Sequence, residues 1–385
     1  MEKRWKLVTI GGIPIYITVP WLFFAAFIVW ATYRELASEN ALTEQQAIGW
    51  SLANAALFYG SIVLHELAHA ATARAFHLSV RGITLVFWGG YTETHSSERG
   101  PLATFLIAAA GPFTTLALGG AFWLGVAATD GELSAILRNL ARLSLIFAGL
   151  NALPGFPLDG GRMLLAVIWG VTRSRFVALR VAGWGGVVVG AALGLIGLQQ
   201  LQAQSSYWLF FAFVGWMLIN QGRQVAKQAP ILQALSGGRV SEAMSPPPTP
   251  IPADATLLHA LETHLRADRS TEFPVVDAYG RVLGSLSFST AARIGGSDPT
   301  RGVREAMTAR EQTRTVPPDL SLDRALESIA GSGQALVLEG ERLLGRLTTV
   351  DIDRWYRRRI LGASVPDEAG SVPPRPDLGG VGDWG

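Results

Sequence analysis

The chain contains 385 residues, of which 49% are apolar and 16% are charged, with 43 glycines and 12 tryptophans. Soluble domains carry about 25% charged residues, so this composition excludes a disordered chain, a collagen-like repeat and an ordinary cytosolic enzyme. It indicates a multi-span membrane protein with a soluble part. The net charge of +2 argues against nucleic acid as a partner. Because the chain has no cysteine, any metal site must use His, Asp or Glu.

Long stretches without charged residues predict six membrane spans, because a helix needs about 20 apolar residues to cross a bilayer. The predicted spans are 14–33, 46–75, 101–127, 137–170, 177–198 and 207–225. Eleven lysines and arginines near the span ends fall on one side and three on the other, which places the N-terminus in the cytosol. Residues 79–94 are rich in β-branched and aromatic residues and predict strands, which need protein or a wet cavity beside them at membrane depth.

A change in composition marks the soluble half, where charges and prolines return and two stretches of sequence are alike. Residues 240–244 correspond to 303–307, and Met244 and Met307 are 63 positions apart. This internal repeat predicts two copies of one unit. The predicted parts of the chain are the membrane region 1–228, a linker 229–238, two repeats 239–298 and 302–361, and a tail 362–385. The tail is rich in proline, glycine and acidic residues, which predicts disorder.

The sequence His65-Glu66-Leu67-Ala68-His69 lies inside the second predicted span. Positions i and i+4 share a helix face, so both imidazoles can bind one ion. The adjacent Glu66 can take a proton from metal-bound water. The alternative is a solvated helix face, but three ionisable groups in an apolar span are costly unless they are functional.

A third metal ligand is needed, since catalytic zinc usually has three protein ligands and one open position. We favour Asp159, which lies in an otherwise apolar span, over His259 and His264 of the soluble half. Prolines and glycines around Asp159 break the predicted helix there. A structural ion pair between Asp159 and Arg162 is the alternative.

Together, the HELAH sequence and the later N-x-x-P-x-x-P-x-D-G-G sequence resemble the site-2 proteases, which are intramembrane zinc metalloproteases. The resemblance implies that His65, His69 and Asp159 bind one zinc ion per chain. It also implies that Glu66 is the general base and that Asn151 lies near the substrate carbonyl, where it could donate a hydrogen bond to the developing oxyanion.

Further family features are implied by the same resemblance. Trp88-Gly89-Gly90 is similar to the strand that pairs with unwound substrate, and Gly111-Pro112 is similar to another family element. The implied function is hydrolysis of a peptide bond in or near the transmembrane segment of a membrane protein, such as an anti-sigma factor, a pro-sigma factor or a remnant signal peptide. The implied location is the plasma membrane, with the N-terminus and the repeats in the cytosol.

The soluble half resembles a tandem pair of CBS domains, which some bacterial site-2 proteases carry at the C-terminus. The resemblance implies an adenine nucleotide bound by Thr348 and Asp351 of the second copy, whereas in the first copy Thr290 stands where the aspartate would be. An equal alternative is a module that forms a homodimer or docks the substrate.

The expected fold is therefore an α-helical polytopic membrane protein of about six transmembrane helices with a small membrane-associated β-sheet, joined to a cytosolic α/β tandem CBS domain. One alternative function is a CBS-regulated transporter or channel in which His65 and Asp159 line an ion path. That function gives no reason for Glu66 beside a histidine pair. Another alternative is an inactive relative that only binds membrane helices.

Overall fold

The computed structural model describes residues 4–38, 42–86, 89–94, 100–204, 208–265, 272–296, 298–330, 333–360 and 362. Two compact units divide the chain, with the boundary between Pro230 and Ile231. Apart from Gly362, the predicted tail 362–385 lies outside the described residues, and so does Trp88.

Helices make up most of the first unit. They are α1 (Val19–Ser38), α2 (Glu44–Ala75), α3 (Pro101–Ala127), α4 (Gly131–Asn151), α5 (Asp159–Thr172), α6 (Arg175–Gln202) and α7 (Trp208–Ser236). In the described part of the chain, α2, α3, α4 and α6 are long and apolar enough to cross a membrane. Leu124 and Val188 on their surfaces are more than half exposed, as expected for side chains that face lipid. The count of six spans stays a prediction.

Two of the predicted spans have the wrong helix boundaries. The first does not begin as a helix at residue 14, because Ile13–Thr18 is a strand and α1 starts only at Val19. The strand pairs with a second strand, Val80–Val86, and buries Ile13 and Ile15, and a run of apolar residues alone fits either a strand or a helix. The span predicted at 137–170 is two helices, α4 and α5, because Pro154, Gly155 and Pro157 interrupt the helical hydrogen bonds.

A four-stranded sheet packs against the helices of the first unit. Its strands are β1 (Arg4–Ile10), β2 (Ile13–Thr18), β3 (Val80–Val86) and β4 (Gly89–Thr94), in the order β1-β2-β3-β4. Only β3 and β4 were predicted. Ile15 and Ile83 pair in the parallel β2–β3 ladder and pack with Tyr59 and Ile62 of α2. This buried contact fixes the sheet on α2, and β4 is a terminal strand of the sheet.

Glycines bring α6 and α7 into close backbone contact. A Cβ atom on Gly183 of α6 would lie 2.7 Å from the backbone nitrogen of Ala226, and one on Gly190 would lie 2.6 Å from the carbonyl oxygen of Gly215. Small residues at such crossings allow van der Waals contact between helix backbones in a membrane. The position of α6 relative to α7 is therefore set by backbone contact and not by large side chains.

The second unit contains two small sheets, with strand orders β5-β6-β7-β8 and β11-β10-β9. Its elements are α8 (Val240–Ala243), β5 (Ile251–Pro252), α9 (Leu257–Ala260), β6 (Glu272–Val276), β7 (Val282–Ser287), α10 (Phe288–Gly295), α11 (Val303–Ala306), β8 (Thr308–Ala309), β9 (Thr315–Val316), α12 (Leu322–Ile329), β10 (Gln334–Glu339), β11 (Arg342–Thr348) and α13 (Thr349–Ile360). A π-helical turn at Leu261–Leu265 and a 3-10 turn at Arg310–Gln312 complete it.

The two repeats exchange their first segments. Val240, which opens the first repeat, belongs to the hydrophobic core of the second, whereas Val303, which opens the second, belongs to the core of the first. Leu235, within the predicted linker 229–238, also belongs to the second core, because α7 continues to Ser236. Each repeat therefore depends on a segment that precedes or follows its own sequence copy.

Candidate metal centre

Helix α2 places His65, Glu66 and His69 next to one another inside the protein. The helix begins with a capping box at Thr43 and continues without interruption to Ala75, so the i and i+4 spacing of the histidines is preserved. The two Nε2 atoms lie 3.2 Å apart. All three side chains are buried, with exposures of 3%, 5% and 9%, so an unpartnered charge here would be costly.

The third side chain of the cluster comes from the break between α4 and α5. Asp159 is the first residue of α5, and its Oδ2 atom lies 3.2 Å from His65 Nε2 and 3.4 Å from His69 Nε2. Gly160 lies against the carbonyl oxygens of the preceding turn, where a Cβ atom would collide with the backbone. The turn itself packs on α6, because a Cβ atom on Gly186 would lie 2.6 Å from the carbonyl oxygen of Phe156.

Hydrogen bonds at the far nitrogens fix both imidazole rings. His69 Nδ1 donates to the carbonyl oxygen of Ile107 at 2.7 Å. His65 Nδ1 lies 2.8 Å from Thr115 Oγ1, whose own hydrogen is donated to the Gly111 carbonyl oxygen at 3.1 Å. Because the threonine oxygen must then accept, His65 Nδ1 carries the hydrogen. Both Nε2 lone pairs therefore face the Asp159 carboxylate, with each ring fixed in the way usual for metal-ligating histidines.

This geometry fits a zinc ion. Three ligand atoms, one from each of His65, His69 and Asp159, lie within 4.8 Å of one another and could hold a metal ion between them. Bond lengths of about 2.0–2.1 Å in a tetrahedral zinc site place neighbouring ligand atoms about 3.3 Å apart. The three observed separations of 3.2, 3.2 and 3.4 Å match that value. A site with three protein ligands also leaves a fourth position for water or substrate.

Gly111 makes space for the two imidazoles. It lies in α3, and a Cβ atom built on it would lie 2.6 Å from His65 Nε2 and still closer to His69 Nε2. No side chain larger than hydrogen fits at this position while both rings point at Asp159. Pro112 follows it inside the helix.

The remaining predicted site residues in the described part of the first unit lie on three different elements, α2, β4 and α4. Glu66 contacts β4, where Thr92 Oγ1 donates to its Oε2 atom at 3.1 Å and Gly90 packs on its carboxylate. Gly89 and Gly90 are the first two residues of that terminal strand. Asn151 is the last residue of α4, eight positions before Asp159.

Sequence reasoning missed the residues that hold the site in position. Thr115, the Ile107 carbonyl and Thr92 come from α3 and β4, and their spacing in sequence from the histidines is arbitrary. Thr115 follows Gly111 by one helical turn, which is the only signal in the sequence that could have led to it.

In the second unit, the predicted nucleotide contacts form a helix cap. Asp351 Oδ2 accepts from the Thr348 backbone nitrogen at 2.9 Å and from its hydroxyl at 2.7 Å, at the start of α13. Ser245 Oγ donates to Asp351 Oδ1 at 2.6 Å. In the first repeat, Thr290 makes a related contact, since Ser287 Oγ donates to its hydroxyl at 2.9 Å. Both Asp351 oxygens therefore have partners within the chain.

Comparisons with known proteins relate both units to described families. Residues 53–132 and 125–197 match Peptidase family M50, and residues 240–294 match the CBS domain. The chain is 31% identical over 312 residues to Rip3 of Mycobacterium tuberculosis, whose name is that of a zinc metalloprotease, and the alignment covers 78% of this chain and 79% of Rip3. Zinc metalloprotease MJ0392 of Methanocaldococcus jannaschii is 24% identical over 360 residues, which are 92% of this chain and 96% of that protein.

Among solved structures, the chain is similar to a site-2 protease from Methanocaldococcus jannaschii. The TM-score is 0.42 at 22% identity, and the match covers 58% of this chain and 95% of that one.

Gly111→Ala should abolish metal binding, because its methyl group would occupy the space of the two imidazole Nε2 atoms. The measurement is zinc content per chain after purification. Gly120→Ala is the matched control, since it lies in the same helix and its Cβ would have nothing within 4 Å. A Gly111→Ala protein that holds as much zinc as the control would contradict the geometry given above.

Proposed function

Because the chain belongs to Peptidase family M50 and is a zinc metalloprotease of the site-2 protease type with a CBS region, we propose that it cuts a peptide bond in or near the transmembrane segment of a membrane protein. His65, His69 and Asp159 hold one zinc ion in this proposal. The observation that carries it is the convergence of ligand atoms from two buried histidines and the partly buried Asp159 at zinc-like spacing, next to Glu66. Relatives named as zinc metalloproteases disfavour the transporter or channel alternative.

The chemistry divides between the metal and two side chains. When bound, zinc supplies the Lewis acidity that polarises the scissile carbonyl and activates water. Glu66 accepts the proton of the attacking water and returns it to the nitrogen of the leaving amine. Asn151, at the end of α4, donates a hydrogen bond to the carbonyl oxygen as it becomes negative.

Substrate binding in this proposal uses the terminal strand β4. A transmembrane helix satisfies its own backbone hydrogen bonds, so it must unwind before a protease can hold it extended. Strand addition to β4 replaces the lost backbone hydrogen bonds. Gly89 and Gly90 supply this edge, and Gly90 also lies against Glu66. The extended substrate would then pass close to the general base.

The general-base role of Glu66 can be tested separately from the metal site. Glu66→Gln should retain zinc but lower turnover of a reporter membrane substrate by about 10²–10⁴-fold, because an amide cannot accept the proton. His65→Ala and Asp159→Ala should lose both zinc and cleavage. Glu44→Gln is the matched control, since Glu44 is exposed in the first turn of the same helix. Near-normal cleavage by Glu66→Gln would refute the role of Glu66.

The proposed location is the plasma membrane, with the N-terminus and the CBS pair in the cytosol. The motivation is the excess of eleven lysines and arginines over three near the predicted span ends. A reporter fused after Leu361 should show a cytosolic location, and one inserted at Asp130, between α3 and α4, should show the opposite side of the membrane. The reverse result would contradict the proposed topology.

For the CBS pair we propose one adenine nucleotide, held by Thr348 and Asp351, that regulates cleavage. The alternatives are a homodimer interface or a substrate-docking surface. A ribose hydroxyl that binds Asp351 Oδ1 would share that oxygen with Ser245 Oγ, which donates to it at 2.6 Å. Ligand binding would therefore act at the contact between α13 and Ser245, whose backbone also pairs with Arg346 of the second repeat.

This nucleotide site predicts how each of three substitutions changes nucleotide binding. Calorimetry of the full-length protein with ATP, ADP and AMP should show one site, which Asp351→Ala removes and Thr290→Ala leaves unchanged. Ser245→Ala should bind at least as tightly as the original chain, because it removes one hydrogen-bond partner of Oδ1 and leaves the Thr348 cap intact. Absence of heat with all three nucleotides would leave dimerisation or docking as the function of the pair.

A further inference from the structure

Strand β4 contacts Glu66 with two alternate residues. Side chains in a strand alternate between faces, so Gly90 and Thr92 point to the same side, towards α2. A Cβ atom on Gly90 would lie 2.8 Å from Glu66 Cγ and 3.1 Å from Oε1. Glycine therefore allows the strand backbone to lie directly on the carboxylate, and the next inward-facing residue, Thr92, reaches its other oxygen.

The hydroxyl of Thr92 is a hydrogen-bond donor to Glu66. Its Oγ1 atom lies 3.1 Å from Oε2 and 3.4 Å from the backbone carbonyl oxygen of the same residue. Thr92 is 8% exposed and Glu66 is 5% exposed, so little water can replace this hydrogen bond. Removal of the hydroxyl would leave a buried carboxylate oxygen without its donor. Loss of one partner of a buried hydrogen bond costs more than replacement of both partners by apolar groups.

The register of the sheet fixes where Thr92 lies. In the antiparallel β3–β4 ladder, Thr92 pairs with Ile83 and Gly90 pairs with Leu85. Ile83 and Leu85 are 0% and 1% exposed and belong to the core that holds the sheet on α2. A shift of β4 by one residue would turn Thr92 away from Glu66, because the side-chain period of a strand is two.

We propose that Thr92 is a positioning residue for the general base. Its hydroxyl holds Oε2 of Glu66, so that Oε1, beside Gly90, is the oxygen that takes the proton from water and passes it to the leaving amine. Thr92 keeps its own hydrogen throughout. This inference rests on the proposed role of Glu66. Strand β4 would then both orient the general base through Thr92 and pair with the substrate along its outer edge.

The test compares two substitutions of Thr92 with a matched control. Thr92→Val keeps the shape and removes the hydroxyl, and it should lower kcat by about 10- to 100-fold, the range that one hydrogen bond to a charged group is worth. KM and zinc content should not change, since neither the strand edge nor the three ligands is altered. Thr92→Ser should restore most of kcat.

Thr18→Val is the control for a general effect on the sheet. Thr18 lies in β2, is 4% exposed and donates to the Leu85 carbonyl oxygen at 3.1 Å, so this variant also removes a buried threonine hydroxyl from the same sheet. It should leave kcat near that of the original protein. Equal kcat for Thr92→Val and Thr18→Val would overturn the proposal, and so would a Thr92→Ser protein as slow as Thr92→Val.

A second measurement works in the Glu66→Gln background, where the base is already absent. There Thr92→Val should not change the affinity for the uncleaved reporter substrate, because its effect acts through Glu66. A rise in KM with unchanged kcat, or weaker substrate binding in this background, would make Thr92 a substrate-binding residue and overturn the proposal. Failure of the proposed function would look different, since wild type would then not cleave or Glu66→Gln would retain full activity.

Discussion

Two imidazole nitrogens and a carboxylate oxygen point at one place inside the first unit. The neighbouring elements of the fold keep these three atoms in position. His65 Nε2, His69 Nε2 and Asp159 Oδ2 are all acceptors and lie 3.2–3.4 Å apart. Three lone pairs at this distance, two of them on buried histidines, are unfavourable unless a proton or a metal ion lies between them. A cation in turn needs both rings turned the right way, and the Thr115 hydroxyl and the Ile107 carbonyl oxygen provide this orientation.

Absent side chains are as important to the site as those present. Gly111 leaves space for both rings, Gly90 lets β4 lie on the Glu66 carboxylate, and Gly186 lets α6 support the turn before Asp159. A Cβ atom at any of these three positions would collide with the groups that form or support the candidate centre, so the close contacts there depend on glycine.

The second unit shows a different use of buried polar contacts. Asp351 caps α13 through Thr348 and also accepts from Ser245, which belongs to the entry segment exchanged between the repeats. The same carboxylate thus links the two halves of the repeat structure, so that a ligand competing for it would act on their packing. Such a ligand shifts the arrangement only if it favours one packing over the other.

The sequence by itself determined the class of protein, the histidine pair on one helix, the acid beside it and the internal repeat, because each depends on local spacing or composition. His65 and His69 must share a helix face wherever that helix lies. The sequence also indicated Asp159, but only the tertiary structure decided how it reaches the histidines and which other distant residues surround the site. Asp159 reaches the histidines only because the chain breaks before α5, and Thr92 and Thr115 reach Glu66 and His65 through the packing of β4 and α3 on α2. Likewise the apolar run that begins at Ile13 became a strand, because pairing with β3 buries alternate residues, and a hydrophobic run alone does not distinguish that outcome from a helix.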